Sequence, residues 1–212
     1  MTQTFKAWLV AFFTTAAFVF VSVRWFDRPI AGILYSTGAR QRIPIELADR
    51  IFSIPSLAAV LFVMCGLVAI IERRPSKIEA TVAVCTIGTL VTTVIKDQLK
   101  FVFGRTWPFL LRNDVYGFSF FQSGKFFESF PSGHASVAAV ILSVVWFLFP
   151  TKRILCAIGI VAVDLGLVGL NLHFLSDVVA GSFVGISTGL FILALWKAIE
   201  PMMQGARAPS GC

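Results

Sequence analysis

Six runs of apolar residues, at 7–23, 54–71, 80–95, 135–149, 154–172 and 178–196, constrain this chain more than anything else in its sequence. About 20 consecutive apolar residues suffice to cross the hydrocarbon of a bilayer, and the breaks between these runs are polar. Hydrophobic residues make up 57% of the 212 and charged residues only 14%, a balance that excludes an ordinary soluble domain. The runs read as membrane helices. Strands are excluded because an open sheet edge would leave N–H and C=O groups unsatisfied in hydrocarbon, and the alternation of a barrel strand is absent. The expected fold is therefore all-α: a polytopic membrane protein of six transmembrane helices, forming one integral-membrane domain over residues 1–212. The first run has Lys6 before it and no A-x-A site ahead of Arg24-Trp25-Phe26-Asp27-Arg28, so it reads as a retained anchor rather than a cleaved signal peptide. The third can continue helically through Lys96 towards Phe103.

Lys plus Arg outnumber Asp plus Glu by 18 to 11, and the resulting +7 must concentrate in the few polar stretches. Anionic lipid headgroups or phosphate are the expected partners, with no nucleic acid. Cys65, Cys85 and Cys156 lie inside apolar runs, and no metal-binding or disulfide spacing is present. With six crossings, parity puts the long connections 24–53 and 96–132, and the link between the fifth and sixth runs, on one face. The compact basic turns 72–77 and 150–153 fall on the other, and the positive-inside bias places them in the cytoplasm. Gly181, Gly185 and Gly189, at four-residue spacing in the last run, form a stripe that lets another helix approach closely. Asp164, inside the fifth run, is either a functional carboxylate or one hydrogen-bonded to a neighbouring helix.

The chain has only two histidines, both at helix entrances. His134 follows Pro131-Ser132-Gly133: Ser132 can cap a helix, Gly133 lets another group approach the backbone, and the free N–H groups with the helix dipole favour an anion. His173 precedes Asp177 by four residues, the spacing of one helical face, so that carboxylate can orient one ring nitrogen and leave the other as a nucleophile or base. Lys100 and Arg105, before Pro108 at the end of the third run, can offer charge-assisted donors to phosphate oxygens. Parity brings all three segments to the same membrane face, where they can build one interfacial site.

These residues resemble the tripartite signature of the type 2 phosphatidic acid phosphatase superfamily, related to the vanadium haloperoxidases. The resemblance spans about residues 96–185. Pro131-Ser132-Gly133-His134 and His173 with Asp177 match it fully, and Lys100, Arg105 and Pro108 fit a variant of its first segment. Two positions depart: Trp107 stands where the family has an arginine seven residues after the lysine, and Gly166-Leu167 stands in place of its Ser-Arg pair. Arg105 is the candidate to fill the vacated volume, with Arg112 or Lys125 as further sources of charge. The resemblance implies a hydrolase of the membrane lipid-phosphatase branch, using no metal or other cofactor. His173, aligned by Asp177, attacks phosphorus to form a phosphohistidine. His134 protonates the leaving oxygen and later activates water, while Lys100, Arg105, Ser132 and Gly133 bind the phosphate. It also implies a lipid phosphate substrate in the bilayer and, with the parity argument, a bacterial inner membrane with the site on its periplasmic face. The alternatives are a lipid phosphotransferase using the same site, or a non-catalytic lipid-binding or transport protein.

The connection before His134 is crowded with aromatic rings, including Phe101, Phe103, Phe118, Phe120, Phe121, Phe126 and Phe130. Such rings favour the membrane interface, where they can line an entry for acyl or isoprenyl chains or form a packed cap. Residues 35–50 read as a second interfacial segment.

Overall fold

The computed structural model describes residues 3–38 and 77–205, and apart from isolated bridges every regular element within them is helical. Helix α1 (Gln3–Val21) runs through a π-helical turn (Ser22–Phe26) into α2 (Asp27–Ser36). Next come α3 (Lys77–Phe103), a 3₁₀ turn (Pro108–Asn113) and α4 (Gly133–Leu148). A second 3₁₀ turn (Pro150–Lys152), α5 (Arg153–Gly169) and α6 (Leu175–Gly205) complete the order. Three of these stretches, Gln3–Ser36, Lys77–Phe103 and Leu175–Ile199, are long and apolar enough to cross a membrane. Gly133–Leu148 is apolar but shorter, and α5 has 17 residues. The apolar run 54–71, the basic turn up to residue 76 and most of the segment 35–50 lie outside the described residues.

The helix boundaries follow local chemistry. Ser132 stands in extended conformation ahead of α4 and its hydroxyl accepts the Ala135 N–H at 3.4 Å, the cap that the sequence predicts. Helix α3 does continue past Lys96 to Phe103. It stops at Gly104, whose left-handed backbone (φ 51°) no other residue tolerates easily, and where an added Cβ would collide with the Ser119 carbonyl. The first connection differs from expectation. The charged stretch around Arg24 does not end the first helix; it passes through the π turn into α2, where Asp27 turns inward and is buried against Arg105 of the connection after α3 and Ser176 of α6.

Helix α4 is central, packing on α3, α5 and α6. It meets α6 along the predicted glycine stripe: a Cβ on Gly181 would sit 2.5 Å from the Ser132 carbonyl oxygen, and those on Gly185 and Gly189 would overlap the Ser136 carbonyl and the Ser143 hydroxyl. Lipid tails are as apolar as side chains, so such smooth contact, rather than hydrophobic exclusion, lets membrane helices pack. On the outside, α1 leans on α6 through Trp8, which donates its indole N–H to Ser187 Oγ at 3.1 Å and packs with Phe12 around Phe183. Phe13, Phe20, Ile154, Leu165 and Phe191 face outward, as a lipid-bounded surface requires. Asp164 accepts the Ser182 hydroxyl of α6 at 2.8 Å, a hydrogen bond to a neighbouring helix.

The stripe gives a paired prediction. Gly185→Ala forces α4 and α6 apart and lowers stability by about 1–3 kcal/mol, whereas Gly166→Ala on α5, with open space around it, is neutral or stabilising by up to about 1 kcal/mol. Thermal unfolding of the two variants in detergent checks the difference.

Candidate active site

The three sequence motifs come together at one end of the bundle. The Ser132 N–H donates to the Asp177 carbonyl at 3.0 Å, tying the start of α4 to the first turn of α6. From the end of α3 the chain delivers Arg105 to the Asp177 side chain and, just beyond, lays the Trp107 ring against His173 with centroids 5.0 Å apart.

His173 does not share a helix with Asp177, as the spacing suggested. It lies in the turn between α5 and α6, where Asn171 takes a left-handed backbone (φ 52°). The two residues still meet, because Asp177 folds back over the helix start. Its Oδ2 accepts the Phe174 N–H at 3.0 Å and the Ser129 hydroxyl at 2.6 Å, and stands 3.5 Å from His173 Nδ1. That last distance is an ion-pair approach rather than a full hydrogen bond. Nδ1 has no hydrogen-bond partner, and the ring is 3% exposed.

Arg105 stands elsewhere than the sequence reading put it. Its side chain is 0% exposed, and its two terminal nitrogens are occupied: Nη1 donates to Asp177 Oδ1 at 2.6 Å and to the Ser176 hydroxyl, and Nη2 to Asp27 Oδ2 at 2.6 Å and Tyr116 Oη at 3.2 Å. Around it stand the rings of Phe174, Phe118, Tyr116 and Phe130, with centroids 4.4 to 5.9 Å from the guanidinium carbon. Burial opposes the charge, but the Asp177 and Asp27 carboxylates outweigh it and hold the guanidinium above its ordinary range. With Nη1 and Nη2 engaged inside the protein, neither is free to grip phosphate, while Nε has no hydrogen-bond partner. Its backbone is stitched as well: the Arg105 carbonyl accepts the Ser129 N–H at 3.1 Å, and the Thr106 N–H donates to Gly117 at 3.2 Å.

The phosphate-facing candidates are therefore lysines. Lys100 carries its ammonium over the Trp107 ring, 5.8 Å from the centroid. One helical turn earlier, Lys96 lies across Gly133: a Cβ there would be 3.2 Å from Lys96 Cδ and 3.9 Å from its Nζ. That ammonium, paired at 2.5 Å with Asp97, sits beside the N-terminal end of α4, next to the half-buried His134. Lys96 was not among the predicted site residues, although its i, i+4 relation to Lys100 puts both cations on one helical face. Arg112 and Lys125 are exposed; Lys125 contributes its carbonyl, which fixes Trp107 by accepting the indole N–H at 2.8 Å. Leu167 lies in an apolar cluster with Ala135 and Val178, so no cation replaces the family's second arginine there. Among the described residues no group of three or more His, Cys, Asp or Glu is placed to hold a metal.

Comparison with known proteins finds relatives of this chain. A lipid A 1-phosphatase of Rhizobium etli is 24% identical over 186 residues, covering 84% of this chain and 80% of that protein. The crystal structure of a transmembrane PAP2-type phosphatidylglycerolphosphate phosphatase from Bacillus subtilis superposes with a TM-score of 0.52 at 20% identity, covering 88% of this chain and 96% of that one. The model of the PAP2 superfamily matches residues 79–200. That match takes in α4, α5, both histidines, Asp177 and the two lysines beside them, and the chain belongs to the PAP2 superfamily.

Proposed function

We propose that this protein removes phosphate from a membrane lipid phosphate, without a metal, through a phosphohistidine on His173. The observation that carries the reading is the junction of Asp177 with both histidine segments: its carbonyl holds the Ser132 N–H and its side chain lies beside His173. In the first step His173 Nε2 forms a bond to phosphorus as the lipid oxygen departs, and His134 gives that oxygen a proton. Water then attacks phosphorus with His134 as base, breaking the N–P bond and returning His173 to neutrality. The ammonium groups of Lys96 and Lys100 and the N–H groups at the start of α4 hold the equatorial oxygens. Trp107 covers His173 and limits water around the ring before substrate arrives.

The exposed rings of Phe120, Phe121 and Phe126 suit the lipid interface beside this mouth. The basic turn at Pro150–Lys152 lies at the other end of α4, about 24 Å away for a 16-residue helix. With that turn in the cytoplasm, the mouth opens on the extracytoplasmic face.

Two outcomes are expected. His173→Ala lowers phosphate release from a lipid phosphate by about a thousandfold or more while the protein still folds, and a chelator leaves the wild-type rate unchanged; wild-type turnover by the variant would refute the nucleophile. Lys96→Ala and Lys100→Ala each raise KM by about tenfold, as expected for lost charge-assisted contacts to phosphate. Steady-state assays in detergent over a panel of phosphatidic acid, phosphatidylglycerol phosphate, undecaprenyl pyrophosphate and phosphorylated lipid A read both effects.

A further inference from the structure

Asp27 lies far outside the residues matched by the family model, 79–200, yet it is fully buried in the cluster that supports His173. Its Oδ2 accepts Arg105 Nη2 at 2.6 Å and the Ser176 hydroxyl at 2.5 Å, and its Oδ1 accepts the Ser176 N–H at 3.1 Å. The N-terminal helical segment of the chain thus places a carboxylate against the opening turn of α6, where a free N–H needs an acceptor.

The charges in this cluster do not cancel. Asp27 and Asp177 are two carboxylates facing one guanidinium, so the buried trio carries a net charge of −1, and all three side chains are 0% exposed. The adjacent side chain able to supply the missing positive charge is His173, 3.5 Å from Asp177. Other charged or titratable groups stand around the cluster: Lys100 on α3, over the Trp107 ring and within electrostatic reach of Asp177 and Glu128, Tyr116 beside Arg105, and His134 in the first turn of α4. Asp164 of α5 is engaged with Ser182.

We propose that Asp27 and Arg105 are positioning residues that set the charge Asp177 presents to His173; this inference rests on the reading of His173 as nucleophile. A ring that attacks phosphorus must be unprotonated beforehand and becomes cationic as the N–P bond forms. With Asp177 alone beside Asp27, two uncompensated carboxylates would hold a proton on the ring and block attack. With Asp177 and Arg105 alone, the pair would be neutral and would give the cationic ring little stabilisation. Asp27 draws one end of the guanidinium to itself, so Arg105 moderates Asp177 without neutralising it. The resulting −1 matches one cationic imidazole. The N-terminal helical segment therefore belongs to the catalytic unit, although it contributes no group that touches substrate.

The presence of only two histidines permits a direct test. In ¹⁵N-histidine-labelled His134→Gln protein the one remaining imidazole is His173, and its titration in detergent is followed by NMR. Adding Arg105→Gln is expected to raise the midpoint by about one pH unit or more, and adding Asp27→Asn to lower it by a similar amount. Arg105→Lys, which keeps the charge, stays near the parent. A purely structural role would lower thermal stability without moving the midpoint in opposite directions. With His134 intact, Asp27→Asn is expected to lower kcat about tenfold with KM within about twofold. Midpoints that stay put, or that move the same way in both charge-removing variants, overturn the proposal. If Arg105→Gln does not fold, the downward shift in Asp27→Asn decides alone. A wild-type protein that releases no phosphate while its variants titrate as expected would sink the enzymatic reading and leave the charge coupling standing. A working enzyme whose variants titrate like the parent would do the reverse.

Discussion

A guanidinium with no exposed surface, held between the carboxylates of Asp27 and Asp177, is the constraint around which this end of the protein is organised. Taking three charges out of water is costly, and the cost is offset only when each is paired and its remaining hydrogen-bonding capacity is used. Ser129, Ser176, Tyr116 and the Phe174 N–H serve that purpose, and the aromatic rings above and below Arg105 face it with their electron-rich surfaces. Losing the guanidinium would leave two carboxylates buried and unmatched, a change of about 3–5 kcal/mol. The cluster therefore fastens α2, the connection after α3 and the start of α6 in one register.

That register matters because the two histidines come from different segments, His134 from the first turn of α4 and His173 from the turn before α6. The glycine stripe of α6 lets α4 come close enough for the Ser132 N–H to reach the Asp177 carbonyl, so packing along the membrane-embedded length fixes what happens at the helix ends. Polar groups are concentrated at those ends, where water can reach a phosphate, and the outward surfaces of α1, α5 and α6 stay apolar.

The aromatic connection divides its labour. Phe103, Phe118, Phe130 and Tyr116 pack on one another or over Arg105, and in those positions they form the cap of a buried ion cluster. Phe101, Phe120, Phe121 and Phe126 remain exposed, on the side open to lipid. Trp107, in the place of a family arginine, is pinned between Lys100, His173 and the Lys125 carbonyl. An aromatic plane at that point shields the imidazole but offers no second anion-binding fork, and the proposed mechanism accordingly gives the phosphate contacts to lysines on α3.

Much of the architecture was legible in the sequence because local rules govern it. Apolar run length announces a membrane helix, a Ser before Gly133 announces a cap, and small residues at four-residue spacing announce a close helix contact, all without knowledge of the partner. The meeting of His173 with Asp177 was also legible, though the reason differed: a side chain folding back over a helix start, not two residues on one helical face. The role of Arg105 was not readable, since a charged residue near a helix end looks the same whether it faces water or the interior. Only the tertiary structure brings Asp27 across from the first helices to claim half of the guanidinium and turn the arginine inward. Lys96 was hidden for the same reason, because its nearness to Gly133 depends on how α3 crosses α4. Sequence fixes what each segment can do by short-range geometry; which charges share a buried volume is decided by long-range packing, and electrostatic pairing in that volume depends on distances no local pattern encodes.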